Sequence, residues 1–274
     1  MEKILKIIFL IAFVIVAVAF AFFTINEKLK TDDTYPVITA ENDMLMLSVN
    51  SSQKDMLKGI TAYDEKDGDL TDKVIVETVS KFIQPGICEV TYAVCDSDKH
   101  VSSLTSKIKY IDYTKPKFSM NRSLCYSVNE KIKISSVFTA KDVIDGDVTR
   151  EIKITSDDYK SGSQGEYRIN VKLTNSKDDT VSMDLPLFVE QIDQNAPKIT
   201  LKRYLIYVDK GTKINPEDYI KSAKDTNGKD LIKSVEIESG LNTSENGVYT
   251  VHYYLKDSQS RKTHTMLTVV VGEQ

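Results

Sequence analysis

The sequence has no tryptophan, three histidines and three cysteines among 274 residues, and no stretch rich in positive charge. Each scarcity excludes something. Lys and Arg (36) are outnumbered by Asp and Glu (40) and lie scattered, so nucleic acid, which demands a basic footprint, is not an expected partner. Cys88, Cys95 and Cys125 are an odd set for an exported chain, which argues against a complete disulfide framework, and no C-x-x-C or Cys/His spacing suggests zinc. Cys88 and Cys95 are seven apart in one expected strand, so their side chains face opposite sides and cannot pair. All three read as buried or idle thiols. No cysteine directly follows the apolar N-terminal run, which excludes a lipid-anchored lipoprotein. His100, His252 and His264 stand apart from any nucleophile motif and read as exposed bystanders, His252 on the outward face of its strand. With no G-x-S-x-G, H-E-x-x-H or phosphate-binding glycine loop, an enzyme is not expected.

What is present begins with an uncharged run from Ile7 to Ile25, long enough as a helix to cross a hydrocarbon core and without a polar face. The expectation is an N-terminal membrane anchor over residues 1–30. Its competitor is a signal peptide cut after Ala19-Phe20-Ala21. Both readings export the rest of the chain. Lys3 and Lys6 on one flank are balanced by Lys28 and Lys30 on the other, so charge does not set the orientation. The composition beyond the run, within a chain 41% apolar and 28% charged overall, is that of a globular protein. The chain ends VVVGEQ, with no second apolar segment or wall-sorting motif, and its far end is expected to be free.

The chain is written in three similar parts. Pro36, Pro116 and Pro197 each follow an aspartate by four residues, at Asp32, Asp112 and Asp193. Gly86, Gly165 and Gly247 each open an alternating run, GICEVTYAVCD, GEYRINVKLTN and GVYTVHYYLKD, that reaches Asp96, Asn175 or Asp257. Alternation at period two marks half-buried strands. Further strands are expected from Val74, Ile152 and Val235, and from Val181, where Pro186 removes a ladder donor and calls for a local edge. Many short strands and no amphipathic helix outside the anchor predict two-sheet antiparallel sandwiches. The fold class is therefore all-β: three tandem sandwiches over 31–112, 113–193 and 194–274, after one N-terminal helix.

The Asp-x-x-x-Pro entry, the DGDLT and DGDVT loops and the G-x-Tyr-x-Val alternation together resemble the bacterial immunoglobulin-like repeats of surface proteins, the type also named after a pesticidal crystal protein. The resemblance covers about residues 33 to 272 and implies an immunoglobulin-like fold used as a spacer or binding module. Two departures stand out: Cys88 replaces the tyrosine found at Tyr167 and Tyr249, and the third part reads DTNGKDL.

The acidic loops DEKDGDLTDKV (from Asp64) and DVIDGDVTREI (from Asp142) have two explanations. In one, Gly68 and Gly146 permit a turn while Asp67 or Asp145 and Thr71 or Thr149 bond local backbone. In the other, immunoglobulin-like topology brings the loop beside the entering linker and the opposite loop, gathering oxygen ligands for calcium. That set is Asp112, Asp142, Asp145 and Asp147, with Asp178 and Asp179 nearby, and in the first part Asp32, Asp64, Asp67 and Asp69, with Asp33, Asp96 and Asp98. Asp225 and Asp230 flank Lys229, so a third site is not expected. No EF-hand register fits. No other cofactor is expected.

The functional expectation is a non-catalytic, single-pass, membrane-tethered stalk, extracellular beyond about residue 30 or secreted if the anchor is cut. It would space or present a surface for adhesion or envelope organisation, with an unidentified surface protein or polysaccharide as partner. The alternative is a specific carbohydrate- or protein-ligand module, for which the missing tryptophan and the few outward tyrosines, such as Tyr254, leave little flat aromatic surface. A hydrolase comes last.

Overall fold

A segment that is apolar on every side has no face to turn to water, and Glu2–Lys28 forms one continuous helix, α1. Its stretch Ile4–Asn26 has a mean hydropathy of 3.0, and none of its apolar window is buried against the rest of the chain. The computed structural model describes residues 2–28, 33–128, 130–131, 133–155 and 163–272. The chain forms two units, Met1–Ile111 and Asp112–Gln274.

Beyond α1 the first unit holds β1 (Val37–Ala40), β2 (Met44–Leu47), β3 (Ile60–Asp64), β4 (Gly68–Asp69), β5 (Ile75–Gln84), β6 (Ile87–Cys95) and β7 (Val101–Tyr110). They make two sheets, β1-β3-β4 and β2-β7-β6-β5. The short strand β2 runs parallel to β7, and the other pairs are antiparallel. Inward residues Cys88, Val90, Tyr92 and Val94 of β6 pack with Ile60, Ala62, Leu70 and Ile108 into one core. Cys88 is buried and Cys95 exposed, as their spacing requires.

The second unit repeats this plan twice. Its first part has β8 (Lys117–Met120), β9 (Cys125–Ser127), β10 (Phe138–Asp142), β11 (Gly146–Asp147), β12 (Lys153–Thr155), β13 (Gly165–Thr174) and β14 (Thr180–Glu190), in sheets β11-β10-β8 and β12-β13-β14-β9. The second part has β15 (Lys198–Leu201), β16 (Leu205–Val208), β17 (Ile220–Lys224), β18 (Glu236–Ser239), β19 (Gly247–Lys256) and β20 (Lys262–Val271), in sheets β15-β17 and β16-β20-β19-β18. As in the first unit, a short strand lies parallel to the last long one, β9 on β14 and β16 on β20. The protein is thus built of β-sandwich sheet pairs behind one apolar helix.

Two sequence signatures have physical causes here. In G-x-Tyr, a Cβ on Gly165 or Gly247 would meet the ring of Tyr167 or Tyr249 at 3.3 and 3.2 Å, so the glycine makes room for the ring. Each tyrosine hydroxyl donates to a carbonyl four residues upstream, that of Ser163 or Glu245. Pro186 lies in β14, which is internal to its sheet. However, β9 pairs only with Phe188–Glu190, and the Phe188 N–H donates to Leu124. Two residues earlier, the Pro186 nitrogen faces the same side before β9 begins, so the missing donor breaks no ladder bond.

Strand β20 departs from the pattern. The hairpin strand β14 alternates buried and exposed positions along most of its length, but β20 is buried at every residue from His264 to Val271. Leu267, Val269 and Val271 fill the core of their own sheet pair. The opposite face, Met266 and Val270, joins Leu205 in the core that contains Leu124, Tyr126 and Leu187 of the preceding pair. Met266 also donates its N–H to the buried Ser123 hydroxyl at 3.0 Å. The second unit is therefore packed through β20, where independent sandwiches would leave an alternating, half-wet strand. Met266→Ala is expected to destabilise this unit by about 2–5 kcal/mol, read as a lower urea midpoint; an unchanged midpoint would contradict the packing.

Candidate functional site

The acidic loops lie at β3–β4 and β10–β11. Asp64 and Asp142 are the last residues of β3 and β10 and are 2% and 6% exposed. The Oδ1 of Asp64 accepts the N–H groups of Lys66 and Asp67 at 3.0 and 2.9 Å, and that of Asp142 accepts those of Ile144 and Asp145, both at 2.8 Å. These buried carboxylates satisfy turn donors that would otherwise be stranded. Asp69 and Asp147 accept from the Thr71 and Thr149 N–H groups, while the Thr71 and Thr149 hydroxyls accept from Ala62 and Ala140. The bonds from Thr71 and Thr149 hold the Asp69 and Asp147 carboxyls below the ordinary range. Gly68 and Gly146 have φ near +76° and +74° with open space around them, so conformation and not crowding demands glycine.

The role expected for Asp67 and Asp145 is corrected. They bond across to the opposite loop instead of to their own turn. Asp67 accepts from the Ser97 N–H at 2.6 Å and hydroxyl at 2.8 Å; Asp145 does the same with Ser176 at 2.7 and 2.6 Å. The Ser97 bonds hold the Asp67 carboxyl low. Lys66 pairs with Asp98 beside this clasp. The opposite loop has its own buried anchor in Asp96, Asn175 or Asp257, each accepting backbone N–H groups of its loop, which explains why every alternating run ends on Asp or Asn. In the third loop Asp225 pairs in register with Lys229, which puts Gly228 where Asp67 and Asp145 stand. The clasp is thereby lost and the turn changes: Asp225 accepts the N–H groups of Asn227 and Lys229, and the positive φ falls on Gly228, one position earlier than at Gly68 and Gly146.

Asp112 was the linker residue expected at this pole; Tyr113, next to it and outside the expected set, reaches the pole. Its hydroxyl donates to Asp179 at 2.6 Å, and the Asn175 amide bonds both this hydroxyl and Asp142. Asp112 is exposed. Asp32 lies outside the described residues. Among the described residues, no three His, Cys, Asp or Glu side chains converge as a metal-ligand group.

A second cluster was missed in the sequence. His264 of β20 is 6% exposed, not a surface bystander, and His252 of β19 is half-buried beside it. The cause is the face of β20 and β19 that packs on the preceding sheet pair. His252 Nδ1 lies 2.9 Å from His264 Nε2, and His264 Nδ1 lies 3.0 Å from Glu190 Oε1 at the end of β14. Thr250 Oγ1 is 3.1 Å from His252 Nε2. Phe188 presents an edge to both imidazoles at 5.4 and 5.3 Å, and Tyr254 stacks on His264 at 4.5 Å. Burial, followed by the neighbouring His264, lowers the His252 pKa. The signal in the sequence was the lost alternation of HTMLTVVV, which a strand buried on both faces shows. His100 is bonded to Asp96 and lies against Tyr35.

Cys125 Sγ sits 3.6 Å from His264 Nδ1, an arrangement that brings together a thiol, an imidazole and a carboxylate. It is not armed. Burial pushes the Cys125 thiol up to about 12. Glu190 and His252 already occupy the two ring nitrogens that would take a thiol proton.

No family model matches the chain. It is 25% identical over 250 residues to the pesticidal crystal protein Cry22Aa of Bacillus thuringiensis, covering 87% of this chain and 33% of that one. The chain thus spans about a third of the length of that relative. Among solved structures, the CBM51-2 and INT domains of Clostridium perfringens ZmpB match at 24% identity, over 54% of this chain and 26% of that one, with a TM-score of 0.23. Drosophila N-cadherin EC1-4 matches at 15% identity, over 88% and 67%, with a TM-score of 0.23. Similarity at these TM-scores leaves the fold to be argued from the strands themselves.

Asp142→Ala would strand the Ile144 and Asp145 N–H groups and is expected to cost about 1–3 kcal/mol in urea unfolding, with Asp142→Asn costing less. Equal, negligible losses would contradict the capping role.

Proposed function

We propose that the chain is a non-catalytic, membrane-tethered β-sandwich stalk of a bacterial cell surface, with immunoglobulin-like domains at 31–112, 113–193 and 194–274. It spaces or presents a binding surface for adhesion or envelope organisation. The observation that carries this reading is helix α1: an apolar segment with no protein face against it, standing ahead of sheet pairs whose apolar residues are gathered into cores that do not include it. Such a helix is satisfied by lipid. The disarmed Cys125–His264 contact supports the non-catalytic part. The similarity to a Bacillus thuringiensis protein supports the bacterial part.

Fractionation of expressing cells, followed by protease treatment of intact cells, tests the tether. The full-length chain is expected in the detergent-soluble membrane fraction, with everything after about residue 30 digested from outside. Recovery in the medium of a chain beginning at Phe22 would replace the anchor by a cut signal peptide. Full protection in intact cells would overturn the surface assignment.

A polysaccharide or protein ligand is the second reading. It is favoured by Tyr63 and Val37, register partners on one outer face and 60% and 65% exposed. Calcium at the acidic poles is a separate proposal, in which the ion would have to draw Asp67 and Asp145 away from Ser97 and Ser176. The purified full chain, screened on glycans and matrix proteins and titrated with calcium by calorimetry, tests both. Saturable glycan or protein binding lost in Tyr63→Ala supports the ligand; no heat and no rise in Tm at millimolar calcium removes the ion.

A further inference from the structure

The histidine pair sits where two sheet pairs meet, and its hydrogen bonds count protons. We propose that His252 and His264 form a proton-gated latch, which holds the second and third sheet pairs together with zero or one proton on the pair and loosens them with two.

Donors and acceptors in the cluster depend on its protonation. With both rings neutral, Thr250 donates to His252 Nε2, His252 Nδ1–H donates to His264 Nε2, and His264 Nδ1–H donates to Glu190. Every nitrogen is satisfied. One added proton makes His264 an imidazolium beside the Glu190 carboxylate; its Nε2–H now donates to His252 Nδ1, and His252 Nε2–H donates to the Thr250 oxygen. The chain of bonds reverses without a gap. A second proton places N–H against N–H across 2.9 Å, between two positive rings that meet nearly in one plane with centroids 5.1 Å apart. Nothing in that arrangement accepts, so the rings must separate.

The surrounding groups set where each step falls. Glu190 on β14 contacts His264, and the charges of Glu238 on β18, Glu166 on β13 and Glu190 favour a proton on His252. Cys125 on β9 and Tyr254 on β19 are neutral, and Arg122, near Cys125, is held by Glu130. Burial and the neighbouring ring oppose the second proton, and the His252 pKa is accordingly lowered. A folded value below the unfolded one, near 6.5, gives stability that is complete above the unfolded value and is lost as pH falls through the folded one. The latch is therefore closed at neutral pH and loosens in mild acid. What it loosens is the face carrying Met266, Val270 and Leu205, which also covers Cys125.

The chain has three histidines and three cysteines, and this makes the test clean. The full chain in detergent micelles, labelled at histidine, is titrated by NMR while its thiols react with a dipyridyl disulfide, which remains active in acid. His252 and His264 are expected to titrate as a coupled pair in two steps, with His100 as a reference in the other unit. Across the second step the Cys125 reaction should accelerate about tenfold or more. Exposed Cys95 supplies the fast phase and buried Cys88 the slow one. His252→Gln should leave one titration and no acid step at Cys125. If that variant does not fold, Glu190→Gln should move both steps to lower pH. Independent titration of the two histidines, or an acid step that survives His252→Gln unchanged, would overturn the latch; so would unmoved steps in Glu190→Gln.

Discussion

The burial of strand β20 on both faces is the constraint on which the second unit depends. A strand in a two-sheet sandwich ordinarily spends one face on its core and leaves the other to water. Here the second face is spent on a neighbouring sheet pair, through Met266 and Val270, each contributing about 1.5–3 kcal/mol on full burial. Those residues fix which side chains must follow: the N–H of Met266 needs the Ser123 hydroxyl, and His264, one turn of the pleat away, needs Glu190. The histidine pair is a consequence of the packing, because a polar face buried against apolar Phe188 must complete its own hydrogen bonds.

The loops obey the same rule in another place. A strand-to-strand turn at the pole of a sandwich leaves backbone N–H groups to be satisfied, and one carboxylate per loop takes them up, the buried Asp64 and Asp142 and the half-buried Asp225. The next acid, Asp67 or Asp145, then ties this loop to the opposite one. Acids accumulate at these poles because each has a different set of donors to satisfy. Gly228 in the third loop brings no carboxylate to this position, so the clasp is lost and the turn takes a different form.

Much of this was legible in the residues. The three glycine-led runs became β6, β13 and β19, and the strands placed at Val74, Ile152 and Val235 appear within a residue as β5, β12 and β18. Period two is a local property, readable without knowing what lies across the sheet. The meeting of the two polar loops was also readable, because topology alone puts them at one pole. Which acid bonds which donor was not, since Asp67 and Asp64 differ only by which side of the turn they face. The histidines were misread for a long-range reason: His252 occupies an outward position of its own sheet, and only the neighbouring sheet pair makes that position internal. The continuous apolar run at the end of β20 carried the hint.

The central claim is that β20 makes the second and third sheet pairs one body at neutral pH. Residual dipolar couplings of the full chain in detergent micelles measure this directly, because amides in one rigid body share one alignment. The packing described here predicts a single alignment tensor that fits the amides of β13 and β14 together with those of β19 and β20. Two tensors of different magnitude or orientation, one for each sheet pair, would contradict it.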